Sequence, residues 1–95
     1  MFKNPRYATR GINAEIPLAL QLILWKMIDE MEVARKDYLQ VFILSTENGE
    51  QKIIHEQEQP DYRKEYVFSG DCLVNAKIFV IDDGDHSTML LAEEY

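Results

Sequence analysis

An α+β fold is the expectation for this chain: one amphipathic helix packed on a mostly antiparallel sheet of five to six strands, in the order β-α-β-β-β-β-β. Three observations carry it. Apolar residues recur at helical spacing from Ile16 to Met31. Beyond residue 38 the apolar residues alternate instead, at the period of a strand. Asn48-Gly49 and Asp83-Gly84 separate such segments where two-residue hairpin turns belong, since those residues tolerate positive φ.

Taken in order, residues 6–12 form a short strand that Gly11 weakens. Pro17 suits a first helical position, where its missing N–H costs nothing. The helix runs to about Ala34, with Arg35 and Lys36 at its negative dipole end. Tyr38 to Glu47 has apolar residues in both alternating sets, the pattern of a central strand covered on much of both faces. Glu50 to Gln57 returns as its hairpin partner, and Pro60-Asp61 ends that strand. Lys64 to Ser69 is a short strand, followed by a turn at Ser69-Gly70-Asp71. Val74 to Asp82 places Ala76, Ile78 and Val80 on one face and Lys77, Phe79 and Ile81 on the other. Asp85 to Glu93 closes the chain with Thr88, Leu90 and Ala92 opposite Met89 and Leu91.

Ninety-five residues without repeat, linker or low-complexity tract make one domain, residues 1–95, with a modest stability of about 5–10 kcal/mol. Ten Lys and Arg against seventeen Asp and Glu give a net charge of −7, which makes DNA a poor partner. Residues 1–13 hold Lys3, Arg6 and Arg10 with no acid, so the surplus of negative charge lies beyond them. A single cysteine, Cys72, forms no internal disulfide and suits a reducing compartment. The apolar run from Ile16 to Trp25 is about half the ~20 residues of a membrane span, and it continues into Lys26, Asp29 and Glu30. It is therefore neither a membrane anchor nor a secretion signal, and the chain is expected in the cytoplasm.

Arg6-Tyr7-x-Thr9-Arg10-Gly11-Ile12, Ile16-Pro17-Leu18 with Leu24-Trp25, Ile78 to Gly84, and the tail Met89 to Tyr95 together resemble a small family. It is the Firmicute family catalogued as domain of unknown function 960. The resemblance spans essentially the whole chain. It implies a short, stand-alone bacterial protein, and it brings no activity and no catalytic residue.

Within the helix, Ile16, Leu20, Ile23, Leu24, Met27, Ile28 and Met31 share the face that meets the sheet. Leu18, Leu22 and Trp25 form a second stripe on the far side. That stripe is either covered by another part of the chain, such as the N-terminal arm or Tyr95, or it anchors a partner or a second copy. On an extended strand Arg6 and Arg10 point the same way. They either pair with the chain's own acids, Glu93 and Glu94 among them, or grip an anion.

Asp82 to His86 reads as a hairpin turn and lacks the pattern of a calcium loop, so no metal site is assigned. His55 reads as a solvated strand residue, and Cys72 as a small filler. Glu47, Glu50, Glu56, Glu58 and Glu65 read as solvated strand faces. No catalytic constellation, phosphate loop or cofactor motif is present. The expectation is a non-enzymatic protein-interaction module. The alternative is an anion or small-molecule binder built on the basic N-terminal strand.

Overall fold

Six strands form one sheet in the computed structural model, which describes residues 1–70 and 73–95. In chain order these are β1 (Arg6–Ala8), β2 (Leu39–Glu47), β3 (Glu50–Gln57), β4 (Tyr62–Ser69), β5 (Ala76–Asp82) and β6 (Ser87–Leu91). Two helices, α1 (Arg10–Glu15) and α2 (Leu18–Asp29), fall between β1 and β2, and a 3₁₀ turn spans Ala92–Glu94. The spatial order is β1-β6-β5-β2-β3-β4, with every pair antiparallel except β1 beside β6. The α+β class and the helix-on-sheet architecture therefore stand as the sequence predicts.

Both predicted hairpins are present, the second with its two-residue turn at Gly84-Asp85 rather than Asp83-Gly84. Asn48 and Gly49 take φ of 53° and 78°, the twist that joins two strands tightly. Gly84, at φ 102°, turns β5 into β6, and Asp83 N–H donates to the His86 carbonyl at 3.0 Å.

The core lies between α2 and one face of the sheet. Ile16, Leu20, Leu24, Ile28 and Met31 are buried, and Ile23 and Met27 pack against the same cluster. They meet Phe42 and Leu44 of β2, Ile53 of β3, Ile78 and Val80 of β5, and Met89 and Leu91 of β6. Each strand contributes alternate residues, as period 2 requires.

Three local expectations need correction. Residues 6–12 are not one strand. The chain extends only to Ala8, and Thr9 then caps α1 by accepting the Ile12 N–H at 3.2 Å. Glu94 strengthens that junction, accepting from Thr9 Oγ1 at 2.6 Å, Leu91 N at 2.8 Å and Gly11 N at 3.3 Å. A Cβ at position 11 would stand 2.6 Å from the Glu94 carboxylate, which accounts for the glycine. Next, Pro17 precedes the helix as its cap, and α2 ends at Asp29 rather than near Ala34. Finally, His55 is fully buried.

His55 belongs to a row of polar residues on the helix-facing side of the sheet: Gln40, Gln51, His55 and Gln57. Buried polar groups need partners, and the glutamines find most of theirs in segments without secondary structure. Gln57 donates to the Arg35 and Pro60 carbonyls, and Gln40 donates to the Asp37 carbonyl and to Gln57 Oε1. Gln51 receives the Val74 N–H and returns a bond to the Val74 carbonyl. The glutamines thus fasten the loops at both ends of β2 and β3.

Asp82 fastens the N-terminal arm. Its carboxylate accepts from Phe2 N at 2.6 Å, Gly84 N at 2.7 Å and Asn4 Nδ2 at 3.0 Å, and this holds Phe2 in the core. Burial pushes the Asp82 carboxyl up, but these hydrogen bonds outweigh it and leave the group below its ordinary range. Replacing Asp82 with Asn removes the charge from these bonds and should cost about 1–2 kcal/mol in denaturant titration. An unchanged midpoint would mean that the arm is not held by this group.

Candidate functional site

Among the described residues, the second face of the sheet has no cover of comparable size. β2 displays Leu39, Val41 and Ile43 there, each half-buried, while its intervening residues sit under α2. Register brings apolar neighbours beside them on both sides. Val41 faces Phe79, Leu39 faces Ile81, and Ile43 faces Ile54. Leu90 pairs with Phe79 from β6 and extends the patch. None of these seven residues belongs to the buried core or packs against it, among the described residues. The doubly apolar pattern of β2 therefore does not mark a strand covered on both sides. One side is sealed by α2, and the other stays half-buried, with no helix over it among the described residues.

The rim of this open face is charged in both senses. Lys77 stands beside Ile43 with its ammonium 5.7 Å from the Phe79 ring centroid, and Glu56 stands beside Val41. Further out, Lys52 bridges to Glu65 at 3.2 Å and to Glu47 at 3.5 Å, and Arg63 reaches Glu65 at 3.2 Å. These pairings pull the Glu65 carboxyl below its ordinary value, the Lys52 hydrogen bond being the largest cause.

The face carries one knob and one hollow. Tyr95 stands edge-on against Phe79 at 5.7 Å and is 81% exposed. The hollow, about 620 Å³, is lined by the apolar Leu39 and Val41, by Tyr38 and Lys77, and by the acids Asp37, Glu56, Glu58 and Asp61.

The residues singled out from sequence fall elsewhere. Leu18 and Leu22 project from α2 away from the sheet, 67% and 59% exposed. Trp25 is separated from them in environment: it is half-buried, packs against the core cluster, and lies 4.7 Å beneath the Arg6 guanidinium. Arg6 also donates to the Phe2 carbonyl at 2.9 Å and to both Asp29 oxygens, and that bond holds the Asp29 carboxyl below its usual value. Arg10 is exposed on α1, so the structure does not set the two arginines side by side on one strand. Glu94 is occupied by Thr9, Leu91 and Gly11 rather than by either arginine.

His86 contacts Asp83 at 3.1 Å and the Tyr7 ring edge-on, and the Asp82 carboxylate is taken up by the N-terminal arm. Cys72 lies outside the described residues. Among the described residues, no helix is long and apolar enough to cross a membrane.

Sequence reasoning passed over the open face because its signal looked like ordinary double burial. The signal was nevertheless present, in a small domain with too few elements to cover two faces.

The fold and the sequence can be set beside known proteins. A family model described as a Staphylococcal protein of unknown function, domain of unknown function 960, matches residues 5–94. The chain belongs to this family. A crystal structure of a protein of unknown function from Enterococcus faecalis is similar to it, at 29% identity and a TM-score of 0.84. That likeness covers 97% of this chain and 91% of the other. No curated protein matches the sequence. The residues matched by the family model include all six strands, so the seven apolar residues of the open face lie within the family's span, and Tyr95 falls just beyond it.

Proposed function

We propose that this family member is a non-enzymatic protein-interaction module of the bacterial cytoplasm, and that the open face of its sheet is the surface it uses. One observation carries the reading: seven neighbouring apolar side chains on four strands lie outside the core cluster, and among the described residues only Tyr95 stacks over them. A contiguous apolar patch rimmed by charge is the usual character of an interaction surface on a soluble domain.

The histidines stand apart, His55 buried on Gln40 and His86 at the turn on Asp83, and neither lines the open face. The exposed Leu18 and Leu22 offer a second, narrower contact, but Trp25 is turned into the Arg6 stack and is not free to join them. The anion-binding alternative is less well supported, because an incoming anion would have to displace Asp29 from Arg6.

Size-exclusion of the native protein in host lysate tests the reading. The chain should elute above its own 11.1 kDa, and Val41→Asp should return it to that size with its circular dichroism intact. Elution of the wild type at 11.1 kDa, both in lysate and when purified, would contradict it.

A further inference from the structure

The geometry points to a second copy of this chain as the occupant of the open face, the two sheets packing face to face into a four-layer helix-sheet-sheet-helix dimer. The inference rests on the interaction reading above and names its partner.

Shape is the first argument. The Cα envelope measures 36 × 27 × 20 Å, and its short dimension suits one helix layer on one sheet. A flat, pleated apolar face is best filled by another such face, stacked about 10 Å away. The edge strand β4 is less inviting, because Arg63, Lys64 and Glu65 discourage strand addition there.

Area is the second. The four strands that carry the apolar patch, at ~4.8 Å spacing and roughly 20 Å long, give a footprint of about 400 Å². The relief of the side chains raises its accessible area toward the ~800 Å² per partner of a standard interface.

Charge is the third consideration. The chain carries −7, so two copies repel at long range. On the open face Lys52, Arg63 and Lys77 offset only part of Glu47, Glu50, Glu56 and Glu65, and Asp37, Glu58 and Asp61 line the hollow, so this side stays acidic. Association should therefore tighten as salt screens that repulsion.

The knob and the hollow give the fourth argument. Tyr95 rises over β5, and the hollow is lined by β2, the adjacent strand. A two-fold axis running along the strands between β5 and β2 exchanges those positions. Each Tyr95 then enters the hollow lined by Leu39 and Val41 of the other copy, an isologous contact that closes on itself.

Sedimentation equilibrium on the purified full chain, from 1 to 200 μM as probe concentrations, is the test. A mass rising toward twice 11.1 kDa is expected for the wild type. Val41→Asp sets a carboxylate beside Glu56 at the centre of the face and should weaken association at least 100-fold. Tyr95→Ala should weaken it about 10-fold, and Leu22→Asp on the helix should leave it unchanged. If Val41→Asp fails to fold, Ile43→Ser reads the same contact more mildly. A purified wild type that stays monomeric at every concentration overturns the second copy as occupant. If that monomer still enters a Val41-sensitive complex in lysate, the interaction reading survives while this inference does not. Loss of dimer by Leu22→Asp alone would also overturn it.

Discussion

Replacing Phe42 with Ala should destabilise the protein by about 3–5 kcal/mol, whereas replacing its neighbour Ile43 with Ala should cost the monomer about 1 kcal/mol or less. The two residues are adjacent on β2 and point to opposite faces. Phe42 is fully buried, pairs with Ile78 and His55 across the sheet, and stacks on the His55 ring at 4.3 Å. Its removal leaves a cavity that α2 cannot fill without lifting off the sheet. Ile43 loses less because in the monomer it is only half-buried. In the dimer its loss reappears as weaker association, so the cost of Ile43→Ala should grow with protein concentration. Urea titrations at two concentrations separate these effects. Equal costs at both positions at high dilution would mean that both faces of β2 are sealed.

The second large effect is a dependence on acid. Gln40 donates through its amide nitrogen to the Asp37 carbonyl and to Gln57, so its oxygen is the atom turned to His55. His55 Nε2 therefore carries the proton and donates to that oxygen at 2.6 Å. Nδ1 is buried without a partner, and protonating it would place a charge in the core. Burial, with Lys64 opposite on β4 as a smaller contributor, lowers the His55 pKa to about 4 from the ordinary 6.5.

The sign follows from proton counts. Between pH 6.5 and about 4 the unfolded chain holds a proton on this residue and the folded chain does not, so stability falls as pH falls through that window. The full loss is about 3 kcal/mol. Below it, carboxyls held low in the fold, such as Asp82 and Asp29, begin to take up protons and remove further stability. His55→Gln keeps a donor for Gln40 but cannot titrate. Its stability should change little from pH 7 to about pH 5.5, where the wild type already declines, before Glu65 and Glu94, both held low in the fold, begin to cost stability in both proteins. Parallel profiles would show that His55 does not govern this window.

Much of the scaffold was legible because it is written locally. The spacing of Leu20, Leu24 and Ile28 announces a helix face, and Asn48-Gly49 announces a turn, whatever surrounds them. The alternation in β5 likewise assigns Ile78 and Val80 to the core. What escaped depends on partners distant in sequence. Thr9 caps a helix that Gly11 seems to forbid, and its reinforcement comes from Glu94 at the far end of the chain. His55 and Gln57 look solvated beside Glu56 and Glu58, yet their hydrogen bonds run to Gln40 and to the carbonyls of Arg35 and Pro60. Pattern alone cannot separate a polar face in water from one satisfied by backbone. The open face was readable as composition but not as geometry. Apolar residues in both alternating sets of β2 say that two covers are needed, and only the count of elements shows that the chain supplies one.

Methyl NMR with a soluble paramagnetic probe measures that difference directly. In dilute monomer, the methyls of Ile43, Ile54, Ile81 and Leu90 should relax strongly while those of Ile28, Ile53 and Ile78 stay protected. Protection of the first group should then appear as concentration rises. Protection of Ile43 and Ile54 already in the dilute monomer, or probe access to Ile78, would contradict a sheet sealed on one side and open on the other.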